Sequence, residues 1–309
     1  MDVRKLCVTA EKPYPGVGSE RYRDPEVPDW RAMEIPDAWP DQLELRSPGQ
    51  LWSFLKRVAA KKRPPVKLPE GMPGRDMIPK YILREFHNFP NGNYSKLLAR
   101  RYINNFDRFM LGEIKKVRKR LAAEFKHVNR VLDVGCSGGG VTAELAAVGV
   151  DDVWGIDPSP YLLKLAADEY PHIKFVQGIA EQTDFSDRRF EGATACFLFH
   201  EMPIKYVGLS LDEINRILEP GAVLAIGEPS PVQAYSGYWR MTRRYGFRGL
   251  YFSWFAKTIH EPFLDTWHRC DLKALFDQHG FDLIKDEVGM PIRYILARKK
   301  QGSGATHGV

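Results

Sequence analysis

Residues 131–140 read VLDVGCSGGG. An aliphatic run carries Asp133, stops at Gly135, and then passes Cys136 and Ser137 before three further glycines. An apolar run closed by glycines is the pattern of a buried strand turning sharply into the next element. Residues 140–149, GVTAELAAVG, continue with helical apolar spacing. The same alternation repeats outward. DVWGID (152–157) leads into PYLLKLAADEY (160–170), IKFVQG (173–178) is a third run, EGATACFLF (191–199) a fourth ahead of a helix near 211–218, and AVLAIGEP (222–229) a fifth. Strands alternating with helices at this spacing predict a parallel sheet covered on both faces. FDLIKDEV (281–288) and IRYILARKK (292–300) are separated only by Gly289, Met290 and Pro291, too short a link for anything but antiparallel pairing. Asp271 is positioned to cap a helix running to His279. The expected fold is therefore α/β: a doubly wound, seven-stranded, mostly parallel sheet with an antiparallel last strand.

Around this core the composition changes. Residues 1–45 are rich in proline and predict an extended arm. SPGQLWSFLKRVAAKK (47–62) has a helix-start signature, with Ser47 as cap, Pro48 in the first turn and Gln50 three after the cap. The chain is expected to become helical and aromatic from Met77, to break at FPNGNYS (89–95), and to form one long helix or two from Tyr94 to about Phe125. The domain expectation is an N-terminal arm and helices acting as a cap over 1–94, a core domain over 95–300, an aromatic insert over 229–268 within it, and a flexible tail over 301–309.

The chain has 309 residues and a net charge of +6. No window approaches the ~20 apolar residues of a membrane helix, and the first residues lack the apolar core of a signal peptide, so a cytoplasmic protein is expected. Cys7, Cys136, Cys196 and Cys270 are far apart, which predicts reduced thiols and neither a disulfide framework nor a metal site. Basic clusters fall at 56–63, 115–120 and 243–248. EIKKVRKRLAAEFK (113–126) reads as the solvated face of an amphipathic helix with Ile114, Val117, Leu121 and Phe125 inward, in preference to a nucleic-acid surface.

In an open parallel sheet, ligands bind beyond the carboxyl ends of the strands, where the strand order reverses. The turn after Asp133 is the natural neighbour of that point. It lacks the G-x-G opening of a dinucleotide fingerprint, and an acid there suits a cationic ligand better than a pyrophosphate. VLDVGCSGGG resembles the first motif of class I S-adenosylmethionine-dependent methyltransferases, an acid-x-Gly-x-Gly-x-Gly pattern. Asp133, Gly135 and Gly139 match it, and Ser137 stands at its middle glycine. The resemblance continues through Asp157, the family's acid for the ribose hydroxyls, and through FVQGIAEQTDF, where Gly178 and Ala180 match but Ile179 replaces the acid expected at the adenine. Glu181 is the substitute considered there. FLFHEMP (197–203), with Phe199, resembles the segment that closes under the cofactor, and GAVLAIGEP the fifth strand with its trailing acid, Glu228. The resemblance covers roughly residues 95–300. It implies S-adenosylmethionine as cofactor.

Methyl transfer from a sulfonium is an in-line displacement served mainly by proximity and exclusion of water. His200, with Glu201 beside it, is the candidate base for a protonated nucleophile. Tyr235, Tyr238, Trp239, Tyr245 and Trp254 crowd the insert with Arg240, Arg243 and Arg244, which suits a lid over a small organic acceptor. Tyr238, Arg240, Arg243 and Trp254 are therefore expected at the substrate, Tyr94 and Tyr102 close the other side, and Glu201 and Glu228 are candidates for a cationic acceptor. The segment after the fourth strand reads HEMP, not the Asn/Asp-Pro-Pro-aromatic motif of nucleic-acid amino-methylating enzymes, and no cysteine follows a proline, as cytosine methylation would need. A small-molecule acceptor is expected. Nucleic-acid methylation and cofactor binding without catalysis are the alternatives.

Overall fold

The computed structural model describes residues 24–44, 46–60 and 63–301. Cys7, most of the expected tail and the first part of the arm lie outside them. The strands are β1 (Arg130–Val134), β2 (Asp152–Asp157), β3 (Lys174–Gln177), β4 (Phe190–Cys196), β5 (Leu218–Pro229), β6 (Phe281–Val288) and β7 (Ile292–Lys299). They form one seven-stranded sheet in the order β3-β2-β1-β4-β5-β7-β6. β1 pairs in parallel with β2 and β4, while β7 runs antiparallel between β5 and β6. This is the predicted doubly wound sheet with its reversed last strand. The order reverses between β1 and β4, so the mouth of the sheet opens at the carboxyl end of β1.

The helices are α1 (Pro48–Ala59), α2 (Lys96–Phe109), α3 (Glu113–Ala123), α4 (Gly140–Ala147), α5 (Pro160–Glu169), α6 (Ile204–Ile217), α7 (Pro231–Tyr235), α8 (Tyr238–Thr258), α9 (Leu264–His268) and α10 (Leu272–Gln278). Alternate side chains of each central strand go to opposite faces. Leu132, Val134, Ala193, Ala195, Leu224 and Ile226 join Leu211, Ile214, Leu275 and Phe276 in one core. Val131, Val153, Phe175 and Ala225 join Leu121, Phe125, Leu145 and Leu163 in the other. Burial on both faces is why these strands read as near-continuous apolar runs.

Three local expectations are corrected. Ser47 precedes α1, but its side chain makes no capping bond; the Gln50 carboxamide oxygen accepts instead from the Glu44 N–H at 2.8 Å. Arg75–Met77 is a single 3-10 turn, and residues 78–95 are turns and bends, not α-helix. Here Glu85 accepts from Asn91 N at 2.9 Å, and Asn91 in turn accepts from Lys67 N at 2.8 Å and donates to the Tyr94 carbonyl at 2.8 Å. Side chains thus supply the partners a helix would have used, and helix begins only at Lys96, with Ser95 capping Leu98 N. The insert is not one continuous cap: Gly246, at φ 62° and ψ −148°, breaks α8.

The arm is held by the core. Trp30 is 2% exposed and its indole N–H donates to the Phe175 carbonyl at 2.8 Å. Lys164 on α5 donates to the carbonyls of Trp30, Arg31 and Met33, and Tyr161 donates to that of Pro36. Truncating a buried tryptophan removes its transfer energy and leaves a void. Trp30→Ala is therefore expected to cost about 3–5 kcal/mol in urea unfolding. A change below about 1 kcal/mol would show that the arm does not belong to the cooperative unit.

Candidate functional site

A cavity of about 470 Å³ lies at the carboxyl ends of β1, β2 and β4. Asp133, Gly135, Ser137 and Asp157 form its floor, and residues 196–198 and Glu201 one side. The opposite wall comes from Tyr94, Tyr102, Ile103 and Phe106 and from the turns at 81–89. The floor follows from local backbone geometry. Gly135 and Gly139 turn the chain at φ 71° and 78°, where side chains are disfavoured. A Cβ on Gly139 would also stand 2.9 Å from the Phe175 ring. Ser137 takes φ 51° despite its side chain, and its buried hydroxyl has no hydrogen-bond partner.

Asp157 ends β2 beside this turn. Its Oδ2 accepts from Ser137 N and its Oδ1 from Ser159 N, both at 2.9 Å. Burial raises its pKa to about 7, against the lowering by those two N–H groups. Asp133 is 1% exposed, with Oδ2 accepting from Thr142 at 2.9 Å and Oδ1 from Thr194 at 2.7 Å. Burial raises it to about 6, partly offset by the threonines. Both oxygens of this floor carboxylate are thus already engaged by hydroxyls of the protein. Tyr94 is buried at the cavity wall with an unpartnered hydroxyl, and burial followed by the Asp157 charge holds its pKa well above the usual range.

The structure brings Asp133, Gly135, Ser137, Asp157, Tyr94, Tyr102 and Glu201 together at one cavity. Gly139 supports it from behind as the residue preceding α4. Ala180, Glu181 and Phe199 do not line it. Glu181 accepts from the Tyr81 hydroxyl at 2.7 Å, and Phe199 is fully buried against Trp267. Glu228 is also withdrawn: its Oε1 accepts from Leu198 N and Phe199 N at 3.0 and 2.8 Å, and its Oε2 holds His200 Nδ1 at 2.6 Å. His200 is wholly buried. Burial alone would lower its pKa, but Glu228 outweighs this and raises it to about 9. A protonated, enclosed imidazole is not poised as a free base.

Tyr238, Arg240, Arg243 and Trp254 do not reach the cavity; they are exposed on α8. The inward rings of α8, Phe252 with Tyr251 and Phe255, pack against Phe106 and Phe197 and do not line the cavity themselves. Closure comes instead from residues 81–106. Sequence reasoning missed Arg118, which lines the cavity and pairs with Asp107 at 3.0 Å. It was counted with the solvated face of α3, yet it falls four after Ile114 and three before Leu121, on the buried stripe. Its neighbours are paired on the surface, Lys116 with Glu113 and Arg120 with Glu287, both at 2.8 Å.

Residues 131–221 match the sequence profile of the family described as "Methyltransferase domain". Over this stretch, from β1 into β5, the chain is similar to methyltransferase domains. Over 115 residues it is 36% identical to the demethylmenaquinone methyltransferase of Chlorobaculum tepidum, covering 37% of this chain and 46% of that protein. It is 29% identical over 171 residues to an uncharacterized methyltransferase of Synechocystis sp., covering 55% of this chain and 75% of that one. It is 32% identical over 101 residues to the ubiquinone biosynthesis O-methyltransferase of Azorhizobium caulinodans, covering 31% and 39% respectively. The chain spans about half the length of the first curated relatives it matches. Among the described residues no helix is long and apolar enough to cross a membrane.

The methyltransferase domain's cofactor, S-adenosylmethionine, fits the residues present. Asp157 could offer carboxylate oxygens to a diol, the hydroxyls of Ser137 and Tyr94 are unpartnered, and Arg118 at the cavity could serve as a cation for a carboxylate.

Proposed function

We propose that this protein transfers the methyl group of S-adenosylmethionine to a small organic acceptor. The observation that carries the reading is the roof of the cavity. Residues 81–106 close over the cofactor floor and leave about 470 Å³ walled by Tyr94, Tyr102, Phe106 and Phe197. That space suits a cofactor with a small ring-bearing molecule. The names of the curated relatives, which concern quinone-type molecules, support an aromatic or quinone-like acceptor.

S-adenosylmethionine supplies an electrophilic methyl group. The chain's own residues would bind, orient and dry the site. Asp157 would hold the ribose hydroxyls and Arg118 the carboxylate of the methionine tail, with Asp133 setting the negative potential beneath its ammonium. The packed rings of Tyr102 and Phe106, with centroids 5.0 Å apart, would exclude water from the transfer path.

The test is incubation with methyl-labelled cofactor and a cell extract, with and without nuclease. Nuclease-resistant label in a small-molecule fraction is expected. Label confined to tRNA or rRNA overturns the proposal. Against that outcome, Lys116 and Arg120, in the basic run nearest the cavity, already meet acidic partners on this chain.

A further inference from the structure

At the cavity wall lies a cluster that the proposed cofactor contacts do not use. His87 belongs to the turns before α2, His200 and Glu201 to the turn after β4, and Glu261 to the loop after α8. Nε2 of His87 is 2.8 Å from Oε1 of Glu261 and 3.1 Å from Oε1 of Glu201. Nε2 of His200 is 3.9 Å from the same Glu261 oxygen. The nearest ligand atoms of His87, His200 and Glu201 all lie within 4.8 Å of one another.

Two features distinguish this cluster from an ordinary ion-pair network. His200 is wholly buried and its Nε2 makes no hydrogen bond, nor does Oε2 of Glu261. Glu228 accepts at Nδ1 of His200 at 2.6 Å and is itself fixed by the N–H groups of Leu198 and Phe199. The Nδ1 hydrogen is thereby committed, so a cation that displaces the Nε2 proton would find that nitrogen's lone pair turned toward the cluster. A carboxylate behind an imidazole, with the far nitrogen turned toward other donors, is the arrangement that orients metal-binding histidines. Metal–ligand bonds of about 2.1 Å place neighbouring ligand atoms about 3.0–3.4 Å apart, and the separations of 2.8, 3.1 and 3.9 Å bracket that spacing. In the metal-free protein protons on the imidazoles offset the charge of Glu201, Glu228 and Glu261 in this poorly solvated place, a role that a divalent cation would take over as it displaces them.

We propose that His87, His200 and Glu201, with Glu261 beside them, bind a divalent first-row transition-metal ion at the cavity wall. Imidazoles mixed with carboxylates, without thiolate, suit manganese, iron, cobalt or zinc rather than calcium or magnesium. The cysteine spacing that predicted no metal could not reveal this set, whose members are scattered from residue 87 to residue 261 and share no motif. His87 and Glu201 line the cavity, so an open coordination position would face it. A hydroxyl or thiol of the acceptor bound there would lose its proton more readily. That consequence rests on the proposed methyl transfer; the metal binding does not.

The test uses the full chain without an affinity tag, stripped by chelator and titrated with Co(II) in the absence of S-adenosylmethionine. Saturable visible absorption at about one equivalent, displaced by Zn(II), is expected. His87→Gln and Glu201→Gln are each expected to weaken binding by about a hundredfold or more. Asp212→Asn, at the surface pair with His279, is expected to leave it unchanged. Each variant's thermal melt is recorded, and Glu201→Gln carries the comparison if His87→Gln does not fold. Absence of a saturable cobalt spectrum in the wild type overturns the site, as does an unaltered spectrum in a folded Glu201→Gln protein. Cobalt binding with no binding of S-adenosylhomocysteine would reject the proposed methyl transfer and leave the metal site standing.

Discussion

Asp157→Ala is expected to raise the Kd for S-adenosylhomocysteine by a hundredfold or more, on the order of 3 kcal/mol for two hydroxyl contacts to a carboxylate. Isothermal titration at pH 7.5 measures it. A Kd within about threefold of wild type in a folded protein would show that Asp157 only shapes the turn through Ser137 and Ser159. The same residue makes binding pH-dependent. Its folded pKa is raised by burial to about 7, so the ligand-free protein holds a proton there that the unfolded chain has already released. The associated stability is complete below the ordinary carboxylate value and is lost as pH rises through about 7. Asp133, raised to about 6, acts in the same direction. A ligand that needs the ionised carboxylates therefore binds more tightly at pH 8 than at pH 5.5 and releases protons as it binds. Thermal melts at both pH values should show S-adenosylhomocysteine raising Tm more at the higher one. An equal shift would exclude Asp157 as the linked group.

Asp133→Ala is expected to damage the fold as well as the site. The sequence alone suggests that this change spares the fold, because the residue reads as a ligand-facing acid. In the structure its oxygens are the partners of the Thr142 and Thr194 hydroxyls, all three residues being buried. Removing the acceptor leaves those donors without a partner, at about 1–3 kcal/mol each, less the relief of no longer burying a carboxylate. A net loss of about 2 kcal/mol, or a Tm lower by roughly 4–8 °C, is expected for a domain of this size. Asp133→Asn retains an acceptor and should recover much of that stability without recovering cofactor affinity. If Asp133→Ala is as stable as wild type, the threonines have found other partners and the buried layer is not structural.

Much of the core was legible because its physics is local. β1, β2, β4 and β5 announce themselves as apolar runs, since both faces of each are buried. The three-residue link at 289–291 forces β7 to reverse. Asp271 reads as a cap and is one, accepting from Ala274 N at 3.1 Å. The region before α2 was misread because Glu85 and Asn91 replace helical hydrogen bonds with side-chain ones, a choice that depends on contacts with Arg57 and Lys67 far earlier in the chain. The aromatic insert was misread for a related reason. Ring content says that a segment has apolar surface, not which way it points, and Trp239 and Phe247 are left 80% and 72% exposed.

VLDVGCSGGG and the motifs that follow it were enough to read the strand–helix alternation, the glycine turn and the acid at the end of β2, because each is set by residues within one strand–turn–helix unit. Only the tertiary structure could decide that Asp133 is gripped by two threonines, that residues 81–106 rather than the insert close the cavity, and that His87 meets Glu201 and Glu261. These are contacts between segments far apart in the chain. Their pairing depends on how the layers stack, and no local pattern encodes it.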